Sequence, residues 1–234
     1  MSFAYGEEKS IIEHMDAIFE NKKKYAIVGE SGSGKSTLLK LVAGSLGCKG
    51  GTICYDGYEA DRLADDFYYK NMSFVHQDIF LFNDSILNNI TFYNDYADEE
   101  IQAALDAAEL NSLIAAHAKG LSGSVGENGE SLSGGEKQRI SIARALIQNT
   151  AILLLDEFTS AIDNQTAYRI EKRLLDFDKM IISVTHKLNR ELLQKYDEII
   201  VLKNAAVLDR GSFDDLLERC EYFKGLYYLG NSQA

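Results

Sequence analysis

An α/β fold with a mainly parallel sheet is what this sequence predicts, and three observations predict it. Short runs rich in β-branched and large apolar residues alternate with stretches of helical periodicity, the pattern of strand–helix–strand units. One run, Ala151-Ile-Leu-Leu-Leu155, is apolar at every position, as expected of a strand covered on both faces. From about Ile86 to Ile147 the strand pattern lapses and helical periodicity alone remains, which points to a helical subdomain inserted into the core.

The first candidate strand is Tyr25–Val28, preceded by Lys22-Lys-Lys24, which reads as a solvated turn. Gly29-Glu30-Ser31-Gly32-Ser33-Gly34-Lys35-Ser36 follows at once and fits G-x-x-x-x-G-K-[ST] at every fixed position. Thr37 and the apolar positions up to Ala43 then continue as an amphipathic helix. Strand, glycine loop and helix start thus arrive in the order a phosphate cradle needs. Glycines let successive N–H groups converge on the β- and γ-phosphates, and the helix N-terminus adds the positive end of its dipole. Lys35 supplies a point charge, and the Ser36 hydroxyl is a ligand for Mg²⁺. This predicts a phosphate-loop core that binds a nucleoside triphosphate.

Met72–His76 is the second candidate strand, ending at Gln77. Helices are expected over Asp98–Ala108, Leu110–His117 and Glu136–Ile147. Before the last of these stands Leu132-Ser133-Gly134-Gly135-Glu136. Ser133 and Glu136 form an S-x-x-E capping box, but capping does not explain two poor helix formers between them. Bare backbone at a helix N-terminus suits close approach to an anion, so Ser133, Gly134 and Gly135 are assigned to a second phosphate-contacting surface.

The strand beginning at Ala151 delivers Asp156 at its C-terminal end, the edge where open α/β sheets bind ligands. An Asp there holds Mg²⁺, and Glu157 is placed to orient and deprotonate a water aimed at a γ-phosphate. Met180–Thr185, Glu198–Leu202 and Ala206–Asp209 complete the strands, and Ser212–Tyr228 reads as one or two short surface helices. A core of residues 1–85 and 148–234 is therefore expected, with 86–147 as the helical subdomain.

Composition narrows the function. The 234 residues are 46% hydrophobic and 26% charged, ordinary for a globular chain. A net charge of −12 disfavours a nucleic-acid-binding face. No run approaches the roughly 18 apolar residues of a membrane span, and no secretory leader is expected at Met1-Ser-Phe-Ala-Tyr5. Cys48, Cys54 and Cys220 lack metal-ligand spacing and read as reduced thiols. Proline is absent, for which the sequence offers no reason.

The order of the phosphate loop, Leu-Ser-Gly-Gly-Glu, the strand ending in Asp156-Glu157, Ser160-Ala-Ile-Asp163 and a lone His186 resembles the nucleotide-binding domain of an ATP-binding cassette (ABC) transporter. The resemblance runs through essentially the whole chain and implies the fold class: an α/β phosphate-loop NTPase core with a mainly parallel sheet, an inserted helical subdomain and a small antiparallel β element. It also implies roles. Gln77 is the residue linking Mg²⁺ and the attacking water, His186 contacts the γ-phosphate, and Tyr5 stacks on adenine. Ser160 and Asp163 belong to a loop at the dimer interface. Two domains pack head to tail, each ATP lying between one phosphate loop and the other domain's Ser133–Gly135. Ser124-Val-Gly126-Glu127-Asn-Gly129 and the Gln77–Ile90 segment resemble exporters, where these stretches face the membrane domain.

The expected function is thus an ATPase with ATP and Mg²⁺, partnered by a transmembrane domain and a second nucleotide-binding domain, as a homodimer when ATP is bound. It would work at the cytoplasmic face of the cell membrane and bind no nucleic acid. The abrupt start leads us to expect a domain cut from a longer polypeptide. The alternatives are a soluble ABC-type ATPase acting on ribosomes or nucleic acid, and a regulator without turnover, the latter disfavoured by Glu157, Gln77 and His186. Departures from the family pattern are Ile79 and Phe158 in place of frequent prolines, Glu136 in place of glutamine, and Ala206 near a frequent glycine.

Overall fold

The computed structural model describes residues 1–5, 11–13 and 15–231. In chain order its elements are β1 (Lys24–Val28), α1 (Lys35–Val42), β2 (Cys54–Tyr55), β3 (Tyr58–Glu59), α2 (Asp65–Asn71), β4 (Met72–Val75), α3 (Ile86–Thr91), α4 (Asp98–Ala107) and α5 (Asn111–Ala116). There follow α6 (Gly134–Ile147), β5 (Ile152–Asp156), α7 (Asn164–Leu175), β6 (Met180–Val184), α8 (Arg190–Leu193), β7 (Glu198–Lys203), β8 (Ala206–Gly211), α9 (Phe213–Arg219) and α10 (Glu221–Asn231). The chain divides into two compact units. One comprises Met1–Met72, Ala151–Asp156 and Asp178–Ala234, the other Ser73–Thr150 and Glu157–Phe177. The stretch 86–147 lies within the second.

In the first unit the strands run β5-β6-β1-β7-β8. Pairing is parallel from β5 to β7, and only β8 runs antiparallel, on β7. The inner strands are buried almost throughout. Ala26 and Ile27 of β1 have no exposed surface, and all five residues of β6 are buried. Burying each Ile, Val or Met side chain among them contributes about 1.5–3 kcal/mol. Register then sets one level: Ile27 pairs with Val184, and Val184 with Asp156. Whatever follows Ile27 and Val184 therefore leaves the sheet at the edge where Asp156 stands.

Of the two hairpins, that of β7 and β8 joins strands the sequence predicts, whereas that of β2 and β3 is not expected from periodicity. β2 and β3 have two residues each, too few for a pattern, but the turn between them is Asp56-Gly57 with φ of 49° and 85°. Positive φ at both central residues is the type I′ geometry that suits the right-handed twist of a hairpin. Asn204 and Ala205 repeat it between β7 and β8, at φ 49° and 67°. Helices α9 and α10 do form where expected, but not as surface ornaments: Phe213, Leu216 and Phe223 are buried, and Phe213 meets Phe223 edge-to-face at 5.9 Å.

The second unit gathers α3 to α7. Ile140, Ala143 and Ile147 supply the buried stripe of α6, and Ile86, Ile90, Ala104 and Leu105 are buried on α3 and α4. Asn89 has no exposed surface and is satisfied throughout. Its Oδ1 accepts from Phe82 N at 2.8 Å, and its Nδ2 donates to the carbonyls of Phe82 and Ser85, both at 3.0 Å. Arg144 of α6 donates to the Asn89 carbonyl at 2.7 Å, tying α3 to α6.

Candidate functional site

The loop Gly29–Gly34 joins β1 to α1. Gly34 occupies the N-cap position at φ 99°, and a Cβ there would lie 2.7 Å from the carbonyl oxygen of Ile11, so only glycine fits. Glu30, Ser31 and Gly32 are exposed, whereas Ser33, Lys35 and Thr37 are buried. Lys35 is folded back on its own loop, Nζ donating to the carbonyls of Gly29 at 3.0 Å and Glu30 at 2.8 Å. The ammonium is thus held inside the loop by the loop's own carbonyls. Ser33 Oγ is buried without a hydrogen-bond partner. A buried hydroxyl in that condition costs free energy that an anion's oxygen would recover.

Asp156, 3% exposed, ends β5, and its Oδ1 accepts the Ser36 hydroxyl at 2.8 Å. Two hard oxygens brought together across 120 residues of chain fit a Mg²⁺ that takes its other ligands from phosphate and water. His186 leaves the same edge two residues beyond Val184 and is exposed. The buried Thr185 shapes its turn, Oγ1 accepting from Lys187 N at 3.0 Å. Tyr5 is 47% exposed and stands edge-on to Phe3, ring centroids 4.9 Å apart.

The chain enters the second unit at Glu157, which takes φ 46°, left-handed for a residue with a long side chain. Its Oε2 accepts from Gln77 Nε2 at 3.0 Å. Phe158, where the family often has proline, is 1% exposed and anchors the backbone beside it. At the start of α6 the capping box is complete: Ser133 Oγ accepts from Glu136 N at 3.3 Å, and Ser133 N donates to Glu136 Oε2 at 2.7 Å. Ser133 and Gly134 are exposed. Gly135 has a packing reason as well, because a Cβ there would come within 2.9 Å of the Ala161 carbonyl oxygen.

Sequence reasoning passed over Gln138. It is 1% exposed; Nε2 donates to the Glu157 carbonyl and to Ser160 Oγ, both at 3.2 Å, and Oε1 accepts from Ala161 N at 2.8 Å. A glutamine inside a helix reads as surface, so only its burial exposes the role.

The two exporter-like stretches meet in this unit. Val125 N donates to the Asp84 carbonyl at 2.9 Å, and Asn128 Oδ1 accepts from Leu81 N at 3.3 Å. Phe80 is 61% exposed beside them.

A family model described as ABC transporter matches residues 12–160. The glutathione/L-cysteine transport system ATP-binding/permease protein CydC of Bacillus subtilis is 41% identical over 204 residues, 86% of this chain and 36% of that protein. The ATP-dependent lipid A-core flippase of Mannheimia succiniciproducens is 37% identical over 234 residues, 98% of this chain and 40% of the flippase. The solved structure of a bacterial Atm1-family ABC exporter with ATP bound is similar over 100% of this chain and 41% of its own, with TM-score 0.92 and 33% identity. The chain spans well under half the length of these relatives. Among the described residues, no helix is long and apolar enough to cross a membrane.

Proposed function

The chain belongs to the ABC transporter family, and from that membership we infer that it is the ATP-binding and ATP-hydrolysing motor domain of an exporter. ATP is the substrate. The N–H groups of the loop from Gly29 through Ser36 and Thr37, together with Lys35, hold its β- and γ-phosphates, and Tyr5 stacks on adenine. Ser36, Asp156 and Gln77 are the residues for Mg²⁺, which when bound neutralises charge on the phosphate oxygens. His186 donates to the γ-phosphate.

Glu157 accepts a proton from water as the water oxygen bonds to the γ-phosphorus. The bond from that phosphorus to the bridging oxygen breaks, and ADP and phosphate leave. The observation that carries this reading is the Gln77 amide on Glu157 Oε2 at 3.0 Å, because it orients the carboxylate that is to take the proton.

Residues 86–147 act as the signature subdomain. Ser133, Gly134 and Gly135 reach the nucleotide of a second such domain, so ATP bridges two copies and hydrolysis releases them. The exposed Phe80 and the joined stretches at 81–85 and 124–128 support a transmembrane partner at this surface, and with it a domain working at the cytoplasmic face of the membrane. The net charge of −12 supports the absence of a nucleic-acid partner.

The test is phosphate release from Mg²⁺-ATP at increasing chain concentration. Turnover per chain should rise with concentration, because two copies make each complete site. Glu157→Gln should slow it by about 10²–10⁴, the contribution of a general base, while ATP shifts that variant to a dimer in sedimentation. Wild-type turnover in Glu157→Gln overturns the assignment.

A further inference from the structure

We propose that Gln138 is a positioning residue that locks Glu157 and the loop after it to α6, so that the surface reading a partner's nucleotide and the base acting on the chain's own nucleotide move as one body. The inference rests on the hydrolytic role given to Glu157 above.

Three observations on the second unit carry it. Glu157 sits at φ 46°, a conformation that costs on the order of 1–3 kcal/mol and persists only where its surroundings impose it. Gln138 helps to impose it, beside the Ser160 N–H on the Glu157 carbonyl at 3.0 Å: both ends of its amide are used, on the Glu157 carbonyl, Ser160 Oγ and Ala161 N. Its 1% exposure removes competition from water, so each of those bonds holds against a desolvated alternative.

Helical geometry completes the argument. Gln138 lies four residues beyond Gly134, hence on the same face of α6 one turn along. Gly135 lets that face approach until only a missing Cβ separates it from the Ala161 carbonyl. The capped N-terminus of α6, with Ser133–Gly135, and the strained backbone of Glu157 are thereby joined through one buried side chain. A displacement of the helix start by a partner's γ-phosphate cannot leave Glu157 where it was.

The amide is matched to the task. Leucine keeps the volume and loses every bond, whereas glutamate keeps the acceptor for Ala161 N and loses the donors to Glu157 and Ser160.

The experiment is a double-mutant cycle on the full chain with Mg²⁺-ATP, using wild type, Gln138→Leu, Glu157→Gln and the double variant. Gln138→Leu should lower kcat by about 10–100-fold, the scale of a misplacement near 1 Å, with KM and ATP affinity held within about twofold. The double variant should turn over no more slowly than Glu157→Gln alone, since a base that has been removed cannot be mispositioned. Wild-type kcat in Gln138→Leu overturns the proposal. So does an additive double variant, which would make Gln138 a general packing residue. If Gln138→Leu lacks a cooperative thermal transition, Gln138→Glu enters the same cycle with the same criteria. Wild-type turnover in Glu157→Gln instead removes the base assignment itself, an outcome distinct from an additive cycle.

Discussion

The hydroxyl of Ser36, in the first turn of α1, donates to Oδ1 of Asp156, the last residue of β5, across 2.8 Å. The bond holds two hard oxygens at one spot, and a lone pair of the hydroxyl would remain for a cation held there while its O–H still donates to the carboxylate.

Asp156→Asn keeps a hydrogen-bond acceptor for Ser36 but loses the charge that a cation requires. The rise in ATP affinity on adding Mg²⁺ should disappear, while affinity in excess chelator stays at the wild-type value. Turnover should fall by roughly 10²-fold or more, the scale of losing one electrostatic contact to the transition state. Calorimetric titration with and without Mg²⁺ checks the first outcome and phosphate release the second.

Ser133→Ala removes the hydroxyl that caps α6 while sparing the backbone of Gly134 and Gly135. Stability should drop by about 1 kcal/mol, the ordinary worth of a serine N-cap. For a chain of this length that is a fall of about 2–4 °C in Tm, read by calorimetry or circular dichroism. An unchanged Tm would mean that the glycine backbone, and not the cap, sets the helix start.

Ala205 stands at φ 67° in the turn between β7 and β8. An L-residue with a Cβ pays about 1–2 kcal/mol in that region, which glycine avoids. Ala205→Gly should therefore raise the denaturant midpoint by an amount equivalent to about 1 kcal/mol, with the m-value unchanged. A lower midpoint would show that chain entropy outweighs the strain.

Asp163 caps α7, Oδ1 accepting from Thr166 N at 3.0 Å, and this backbone bond holds its carboxyl below the usual aspartate range. A folded-state value lower than the unfolded one stabilises the fold above the unfolded value and loses that contribution as pH falls through the folded one. Asn caps as well as Asp but does not titrate there. Between about pH 5 and pH 3, wild type should lose more stability than Asp163→Asn, as followed by urea unfolding at each pH. Parallel losses would take the cap out of the acid response.

How much of this was legible in the sequence depended on how local each feature is. The phosphate loop was legible because its residues are contiguous and their geometry follows from glycine at fixed spacing. The strands were legible because β5 is apolar up to Asp156 and β6 is apolar but for Ser183, though β5 spans Ile152–Asp156 where Ala151–Leu155 is expected. Gln77, His186 and Tyr5 were marked by motif order alone, since nothing in their immediate neighbours distinguishes them. Gln138 was not legible: its burial is decided by a loop some twenty residues on, beyond any helical window. The burial of Phe213 and Phe223 was missed for a different reason. Phe213 and Leu216 are buried on α9 and Phe223 on α10, and the break at Cys220 divides them between two helices each too short to show a stripe in sequence.

The pairing of β1 bears on when in its synthesis the protein acquires its chemistry. Lys24 through Ile27 bond to β6 at Ile181–Val184, and Tyr25 through Val28 to β7 at Glu198–Val201. The ribosome therefore releases the glycine loop long before either strand that flanks its supporting strand exists. Contacts so distant in sequence form late, and an early segment waiting for them is an unpaired apolar edge open to wrong partners. A nascent chain cut before Asp178 would carry the phosphate-binding motif without the sheet that aims it. Nucleotide affinity thus arrives only once β7 has been made, and a nucleotide already in solution can reward only chains extended through β7.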